Sequence, residues 1–301
     1  MGRLTAIVLG SAAGGGYPQW NCLCPVCRLA WQGDRRVKPR GQASLAVSAD
    51  GEHWTLLNAA PDLRAQIAAT SALHPRGESR TSPICAVVLT GGEVDQTAGL
   101  LNLRERQPFT LYGSAETLGI LAANAIFDVL AADVVARKAV QLGRAFALPG
   151  GIEAELFAVP GKVPLYLEGE NPDTSAETPA NVGITITAGG KRLVFVPGCA
   201  EVRPMLHARL AGADVVLFDA TLFTDDEMIR TGTGTKTGRR MGHMPIDGPG
   251  GTLAALGDLS GRRILIHINN TNPILIDGSS ERRRVEAAGY EVAEDGMEIV
   301  L

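Results

Sequence analysis

Short apolar runs recur along the chain and predict strands, with polar or glycine-rich segments between them. The run at 84–89 contains no charged residue, which is typical of a buried strand. Similar runs predict strands at 4–10, 43–49, 182–188 and 193–196. Helices are predicted at 114–127, 202–210 and 279–288. Ser114 is the expected N-cap of the first helix.

This mixture of strands and helices favours two packed mixed β-sheets flanked by helices, an αββα sandwich. The 301 residues, of which 45% are hydrophobic, are enough to bury a large core. Because no linker interrupts the pattern, we expect a single domain over residues 1–301. Stretches rich in proline, glycine, serine and glutamate at 74–83 and 168–180 predict surface loops.

The loop after the run at 84–89 carries a group of polar side chains. Glu93, Asp95 and Gln96 follow the predicted strand within a few residues. Loops at strand ends, held by a rigid sheet, are common places for binding and catalytic residues. The loop is therefore the first candidate for a functional site.

The same loop resembles the metal-binding motif of the metallo-β-lactamase superfamily. There the strand ends in Thr-His-x-His-x-Asp-His-x-x-Gly-Leu, and the histidines and the aspartate hold two metal ions. The positions that match this motif are Thr90, Asp95, Gly99 and Leu100. The positions that lack its histidines are Gly91, Glu93 and Gln96. The resemblance implies the αββα scaffold of the superfamily with an altered metal site.

Later segments resemble the superfamily in the same way. Gly161 and Gly198 stand where further ligands usually lie, whereas His267 stands at the place of the last ligand histidine. The segments around Asp219 and His243 resemble the tRNA-processing branch, in which an acid orients a proton-transferring histidine. The resemblance therefore implies Asp219 and His243 as a catalytic pair.

Asp95 and His267 are the expected metal ligands, because they fall on strand ends that meet in this fold. Glu93 and Gln96 are further candidates. One or two imidazoles with carboxylates and open positions resemble a mononuclear Fe2+ site more than a two-zinc hydrolase. We therefore expect Fe2+, with other divalent metals able to occupy the site. His243 fits either a further ligand or a general acid/base, and the sequence leaves both open.

The glycines at the former ligand positions have an expected consequence of their own. Gly91, Gly161 and Gly198 have no side chain where the superfamily usually has a metal ligand. We expect these positions to open volume beside the metal, so that a larger substrate can approach it.

Three of the five cysteines, Cys22, Cys24 and Cys27, cluster in a glycine- and proline-rich loop at about 14–35. An odd count without an export signal argues against a disulfide framework. The short spacing favours a structural Zn2+ over three reduced cysteines on a loop. The phosphodiesterase branch of the superfamily carries a similar cluster, and the resemblance places its fourth ligand at Asn270, a poor zinc ligand.

Charge and hydropathy exclude some classes of partner. A formal net charge of -4 argues against a general nucleic-acid surface. No run reaches the ~18 apolar residues of a membrane span. We expect a cytoplasmic protein that binds no nucleic acid. The sequence leaves the oligomeric state open, with a homodimer as one alternative.

The cysteine cluster, the altered metal motif and His-Ile-Asn-Asn-Thr-Asn-Pro at 267–273 together resemble one branch of the superfamily. That branch acts in the biosynthesis of the redox cofactor pyrroloquinoline quinone (PQQ). The resemblance implies metal- and O2-dependent hydroxylation of the tyrosine ring of a precursor made from a joined Glu–Tyr pair. A non-catalytic carrier of PQQ or its precursor, and a residual phosphodiesterase, are the alternatives. The basic residues expected to receive the substrate's carboxylates are Lys162, Lys236, Arg239 and Arg240.

Overall fold

Two seven-stranded sheets lie face to face with helices on their outer sides, which confirms the predicted αββα sandwich. The computed structural model describes residues 3–77, 79–170 and 173–301. Its strands are β1 Thr5–Gly10, β2 Ser44–Ser48, β3 Trp54–Leu57, β4 Ile84–Val88, β5 Phe109–Gly113, β6 Val135–Ala139, β7 Ala145–Leu148, β8 Ile152–Pro160, β9 Glu177–Ala188, β10 Lys191–Val196, β11 Val215–Asp219, β12 Arg262–Ile266, β13 Tyr290–Val292 and β14 Glu298–Val300. Its helices are α1 Pro25–Trp31, α2 Leu63–Ala69, α3 Val94–Thr97, α4 Ala115–Ala122, α5 Pro204–Ala211, α6 Glu227–Arg230, α7 Thr252–Ala255 and α8 Ser280–Ala287.

Both sheets are mixed. The first has the order β14-β1-β2-β3-β4-β5-β6, and its strands β3 to β6 run parallel. The second has the order β13-β12-β11-β10-β9-β8-β7, and its strands β10 to β13 run parallel. Parallel strands bring their carboxyl ends to one edge of a sheet, where α/β proteins commonly bind ligands.

Apolar side chains fill three layers. The layer between the sheets contains fully buried residues from both, such as Leu45, Phe195 and Leu217. A second layer packs the outer face of the β10–β13 region against helices, and a third does the same for the other sheet. The strands near the site are thus covered on both faces, which explains their uninterrupted apolar runs.

The three predicted helices are present, and each is shorter than predicted. Ser114 caps α4, since its hydroxyl accepts a hydrogen bond from the Thr117 amide at 3.0 Å. The helix ends at Ala122 because the side chain of Asn124 donates to the carbonyl of Ile120 and its own backbone is extended. A 3-10 turn at Ala125–Val129 completes the segment that was predicted as one helix.

The loop between β8 and β9 contributes to the site. It contains a 3-10 turn at Leu165–Leu167, and β9 begins at Glu177, inside the loop predicted at 168–180. Residues 171 and 172 of that prediction, and residue 78 of the loop predicted at 74–83, lie outside the described residues. Within the described part of the chain, no helix combines the length and apolar character needed to cross a bilayer.

Candidate metal centre

The candidate site lies at the carboxyl ends of strands from both sheets. Asp95 is in α3, just after β4, and Asp219 is the last residue of β11. His267 directly follows β12, and its backbone has a left-handed φ of 60°. A non-glycine residue in this conformation is uncommon, and such residues cluster at functional sites. His243 follows Gly242, whose positive φ of 86° ends the turn Arg239–Met241.

Asp95 and His267 contact each other directly, with Asp95 Oδ2 lying 3.0 Å from His267 Nε2. Burial opposes the charge on His267, but hydrogen bonds with Asp219 and Asp95 outweigh it and raise its pKa to about 10. Burial likewise opposes ionisation of Asp95, and the hydrogen bond and charge of His267 bring its pKa below the ordinary value. The two side chains therefore form a charge-assisted pair across the two sheets.

Asp219 is fully buried and holds His243. Its Oδ2 lies 2.6 Å from His243 Nδ1 and accepts a hydrogen bond from the Cys199 amide at 3.0 Å. Burial disfavours the charged carboxylate, yet the positive charge and hydrogen bond of His243, with those of His267, hold the pKa of Asp219 well below its usual range. The predicted acid–histidine pair is thus in direct contact.

The hydroxyl of Thr221 joins these groups. It donates to Asp219 Oδ1 at 2.6 Å and lies 3.0 Å from Nδ1 of His243 and 2.9 Å from Nδ1 of His267. The two imidazoles stack with their centroids 5.2 Å apart. One small hydroxyl therefore orients both rings.

These side chains form a donor group that fits a metal ion. Ligand atoms of Asp219, His243 and His267 all lie within 4.8 Å of one another. The 3.0 Å between Asp95 and His267 is also close to the spacing of two neighbouring ligands that each lie ~2.1 Å from one ion. Two imidazoles with carboxylates are a ligand set typical of non-haem iron, although they also suit zinc.

Glu93 and Gln96 line the same cavity but bind each other through a capping box at the start of α3. Gln96 Oε1 accepts from the Glu93 amide at 3.2 Å. Glu93 Oε1 accepts from the Leu165 amide at 3.0 Å and lies 3.3 Å from Lys162 Nζ. Their role as metal ligands stays a prediction, and both side chains already have protein partners.

Gly91 and Gly161 do not leave the open volume that was expected beside the metal. A Cβ at Gly91 would lie 2.5 Å from Gln96 Oε1, and a Cβ at Gly161 would lie 2.0 Å from Asn181 Nδ2. Two side-chain amides thus occupy the space next to these glycines. Gly198 is less crowded, with His243 Cε1 the nearest atom at 3.5 Å from such a Cβ.

The volume available to a ligand is a cavity of about 660 Å³ that borders Asp95 and Gly198. Both imidazoles line it, together with Lys162 and Lys236. Arg240 reaches the same region through an ion pair with Glu168, a cavity-lining residue, at 2.5 Å. Arg239 is separate from this group, because it is exposed and its guanidinium lies 3.4 Å from the carbonyls of Pro249 and Gly250.

The cysteine cluster lies apart from this cavity. Cys24 caps α1 and accepts a hydrogen bond from the Cys27 amide at 3.3 Å, so the helix start holds the two thiols together. The three sulfurs approach closely enough to bind one ion. A separate hydrogen bond between the two thiols, and then burial, raise the pKa of Cys24, whereas the same thiol–thiol hydrogen bond lowers the pKa of Cys27. Asn270 Nδ2 lies 3.2 Å from Cys22 Sγ and 3.3 Å from Cys27 Sγ.

Sequence reasoning missed three side chains of the site. Thr221 lies two residues after Asp219 in a segment singled out for its acid, and only the fold reveals its contact with both histidines. Asn181 fills the space beside Gly161 from a different strand, and no local pattern marks it. Glu168 lies in a segment interpreted as a surface loop, yet its side chain is only 4% exposed.

Comparisons with known proteins identify the family of the chain. Residues 53–268 match the family model of the beta-lactamase superfamily domain. The coenzyme PQQ synthesis protein B of Methylobacterium nodulans is 58% identical over 299 residues, covering 99% of this chain and 100% of that protein. The corresponding protein of Gluconacetobacter diazotrophicus is 54% identical, covering 97% and 98%.

Solved structures give the same result. The crystal structure of Zn2+-bound PqqB from Methylobacterium extorquens has a TM-score of 0.97 and 56% identity, covering 99% of this chain and 100% of that one. A diphosphatase from the PhnP family has a TM-score of 0.70 at 21% identity, covering 99% and 97%, and this likeness shows the fold alone. On these relatives, over nearly its whole length, the chain belongs to the coenzyme PQQ synthesis protein B family of the metallo-β-lactamase superfamily.

Proposed function

We propose that the protein catalyses a metal- and O2-dependent hydroxylation in PQQ biosynthesis, acting on the tyrosine ring of a precursor made from a joined Glu–Tyr pair. The observation that carries this proposal is the contact of Asp95 with Nε2 of His267, with the ring of His243 stacked on that of His267 and Asp219 on the Nδ1 side of both rings. Two imidazoles and carboxylates next to a large cavity suit a redox-active Fe2+ with open positions. We further propose that residues 1–301 act as one domain and that the reaction takes place in the cytoplasm.

In this proposal His267 and Asp95 hold the iron, and Asp219 sets the orientation of the histidines. When bound, the iron would supply the chemistry that activates O2. The contact of Asp219 with Nδ1 of His243 fixes the tautomer and leaves Nε2 as the ring atom that accepts or donates a proton. Thr221 keeps both imidazoles at a fixed mutual angle while this happens.

The cysteine loop has a separate role in this proposal. Cys22, Cys24 and Cys27 hold a structural Zn2+, and Asn270 lies beside them as the candidate fourth partner. A Zn2+-bound relative of 56% identity supports zinc as a metal that the family can bind.

A carrier function uses the same cavity without redox chemistry. The cavity volume of about 660 Å³ and its basic side chains favour a small anionic ligand in either case. The carrier hypothesis requires that PQQ or the precursor binds without iron and that no O2 is consumed. A two-metal phosphodiesterase is disfavoured, because glycine stands at positions 91, 161 and 198, where such enzymes need ligands.

The test measures O2 consumption and hydroxylated product with the Glu–Tyr-derived precursor, using anaerobically purified protein with and without iron. We expect activity only in the iron-loaded protein, and His267→Ala is expected to lose both iron and activity. His207→Ala is the control, because His207 is on α5 and pairs with Asp258. Metal-free protein that hydroxylates the precursor at the wild-type rate would defeat the proposal.

His243 needs a separate measurement because two roles are open for it. His243→Ala is expected to keep most of the iron and lose turnover if His243 transfers protons. It loses iron and turnover together if His243 is a ligand. Iron content and single-turnover rate, measured on the same preparation, separate the two roles.

A further inference from the structure

Two cavity-lining lysines and a neighbouring arginine converge on one carboxylate of the protein itself. Glu168 Oε1 lies 3.1 Å from Lys236 Nζ and 2.5 Å from Arg240 Nη1. Glu168 Oε2 lies 3.4 Å from Lys162 Nζ. The Glu168 side chain is only 4% exposed although it belongs to a loop between two strands. A buried carboxylate surrounded by cations is the arrangement expected for a bound anionic ligand.

The carboxylate of Glu168 is incompletely satisfied where it is. Its Oε2 has no hydrogen-bond partner within the described ranges, and its contact with Lys162 is ionic only. Burial opposes its ionisation, but the hydrogen bonds from Arg240 and Lys236 and the charge of Lys162 lower its pKa to about 2. Glu168 is therefore an anion whose Oε1 has two close cationic partners, whereas its Oε2 has only the ionic contact with Lys162.

The cluster is continuous with the metal centre. Lys162 and Lys236 line the same cavity as His243 and His267. The Cβ that Gly242 lacks would lie 3.3 Å from Lys162 Cγ, so the lysine stem packs against the residue that precedes His243. A ligand held by these cations would present the rest of its structure to the imidazoles.

Charge balance indicates what kind of ligand fits. The cluster holds three positive groups and two negative ones, Glu93 and Glu168. Removal of Glu168 from the cluster leaves two positive charges in excess. A molecule with at least two carboxylates would neutralise that excess.

We propose that Lys162, Lys236 and Arg240 form the subsite for a ligand carboxylate, and that Glu168 occupies this subsite as an internal substitute which the ligand displaces. The inference rests on the proposed function for the class of ligand, because PQQ and a precursor made from glutamate and tyrosine both carry several carboxylates. Displacement exchanges one carboxylate for another, so the cations stay paired in both states.

The experiment measures the affinity of the iron-loaded protein for PQQ by calorimetry under argon, without precursor. Glu168→Gln removes the competing charge, and we expect PQQ to bind about tenfold more tightly. Arg240→Gln is expected to weaken binding about tenfold. Glu170→Gln is the matched control: it makes the same change in net charge on an exposed residue of the same loop, and we expect less than about a twofold effect.

The trimethyl ester of PQQ separates carboxylate exchange from a change in loop packing. Its affinity should be the same for the wild type and Glu168→Gln, because it has no carboxylate to replace that of Glu168. The proposal is overturned if Glu168→Gln changes the affinity for the ester as much as the affinity for PQQ. It is also overturned if Glu168→Gln binds PQQ no more tightly than Glu170→Gln does, or does not bind PQQ.

These binding results are independent of the oxygenase test. If the wild type consumes O2 but Glu168→Gln has the same PQQ affinity as the wild type, only the subsite proposal is wrong. If Glu168→Gln tightens PQQ binding and no variant consumes O2, the subsite stands and the oxygenase proposal is wrong.

Discussion

At the scale of single residues, the small side chain of Thr221 contacts three other side chains of the site. Its hydroxyl touches Asp219, His243 and His267 at 2.6 to 3.0 Å. Partners of metal-binding histidines orient the rings, and their loss typically costs 10–100-fold in metal affinity or activity. Thr221 is therefore a positioning residue for both imidazoles.

This role predicts different results for two substitutions. Thr221→Ala removes the hydroxyl, and we expect iron affinity and hydroxylation rate to fall by about 10–100-fold. Thr221→Ser keeps the hydroxyl and should stay near the wild type. Competition with a metal chelator measures the affinity, and equal losses in both variants would show that the methyl group, not the hydroxyl, matters.

The sequence indicated the four charged or imidazole residues of the site but not what holds them. Asp95, Asp219, His243 and His267 each lie at a position marked by resemblance to the superfamily, and the structure brings them together. Thr221 and Asn181 escape such reasoning because their contacts depend on how neighbouring strand ends are placed. The expected empty volume beside Gly91 and Gly161 was wrong for the same reason, since side chains from elsewhere fill it.

At the scale of elements, the cysteine loop depends on α1 and on the segment after β12. Cys24 is the N-cap of α1, and Asn270 belongs to the segment that also carries His267. Zinc bound here would join an N-terminal loop to the end of a central strand. Metal binding at a site that is absent in the unfolded chain contributes directly to folding.

Cys24→Ser is expected to remove about one zinc per chain and to lower the melting temperature by at least ~5 °C, while the iron site still loads. Cys85→Ser is the control, since Cys85 is a half-buried residue of β4 away from the cluster. Zinc content by mass spectrometry and thermal melting provide the readouts. Unchanged zinc and melting in Cys24→Ser would exclude a structural site at these thiols.

The strands and helices that were predicted are present, because apolar runs and capping residues are local signals, but most of the other elements were not predicted. The shortened α4 illustrates the limit, since a side chain to backbone hydrogen bond from Asn124 ends the helix inside the predicted range. The segment at 168–180 illustrates a second limit. Its composition predicted a surface loop, whereas ion pairs with Lys162, Lys236 and Arg240 hold the side chain of Glu168 inward.

At the scale of the whole molecule, one buried acid connects folding stability to pH. Glu227 is 1% exposed and accepts hydrogen bonds from the Phe223 amide at 2.7 Å and the Thr271 hydroxyl at 2.6 Å. Burial raises its pKa from 4.5 to about 7, and these hydrogen bonds offset only part of that effect. The folded state therefore keeps a proton that the unfolded chain loses.

The direction in which folding stability changes with pH follows from which state, folded or unfolded, binds more protons. Between pH 4.5 and about 7 the folded state holds the extra proton, so its stability falls as the pH rises through this window. The total loss of unfolding free energy across this window is about 3 kcal/mol. We expect the unfolding free energy of the wild type minus that of Glu227→Gln to fall by about this amount from pH 4.5 to 8. Urea unfolding at each pH measures both free energies.

Glu116→Gln, an exposed residue of α4, should show no such trend. Because the comparison is between the wild type and a single variant, other titrating groups cancel. A wild-type minus Glu227→Gln difference that is constant with pH would show that folding does not raise the pKa of Glu227.

Both candidate metal sites include residues from the same late segment of the chain. Asp95 and His267 are separated by 172 residues, and Cys24 and Asn270 by 246. At ~5–20 residues per second, a ribosome adds His267 roughly 9–34 s after Asp95. A nascent chain that stalls before residue 267 lacks a member of each cluster. If the site holds iron as proposed, the metal can be bound only once nearly the whole polypeptide has been made and its early aspartate and cysteines lie against its last central strand.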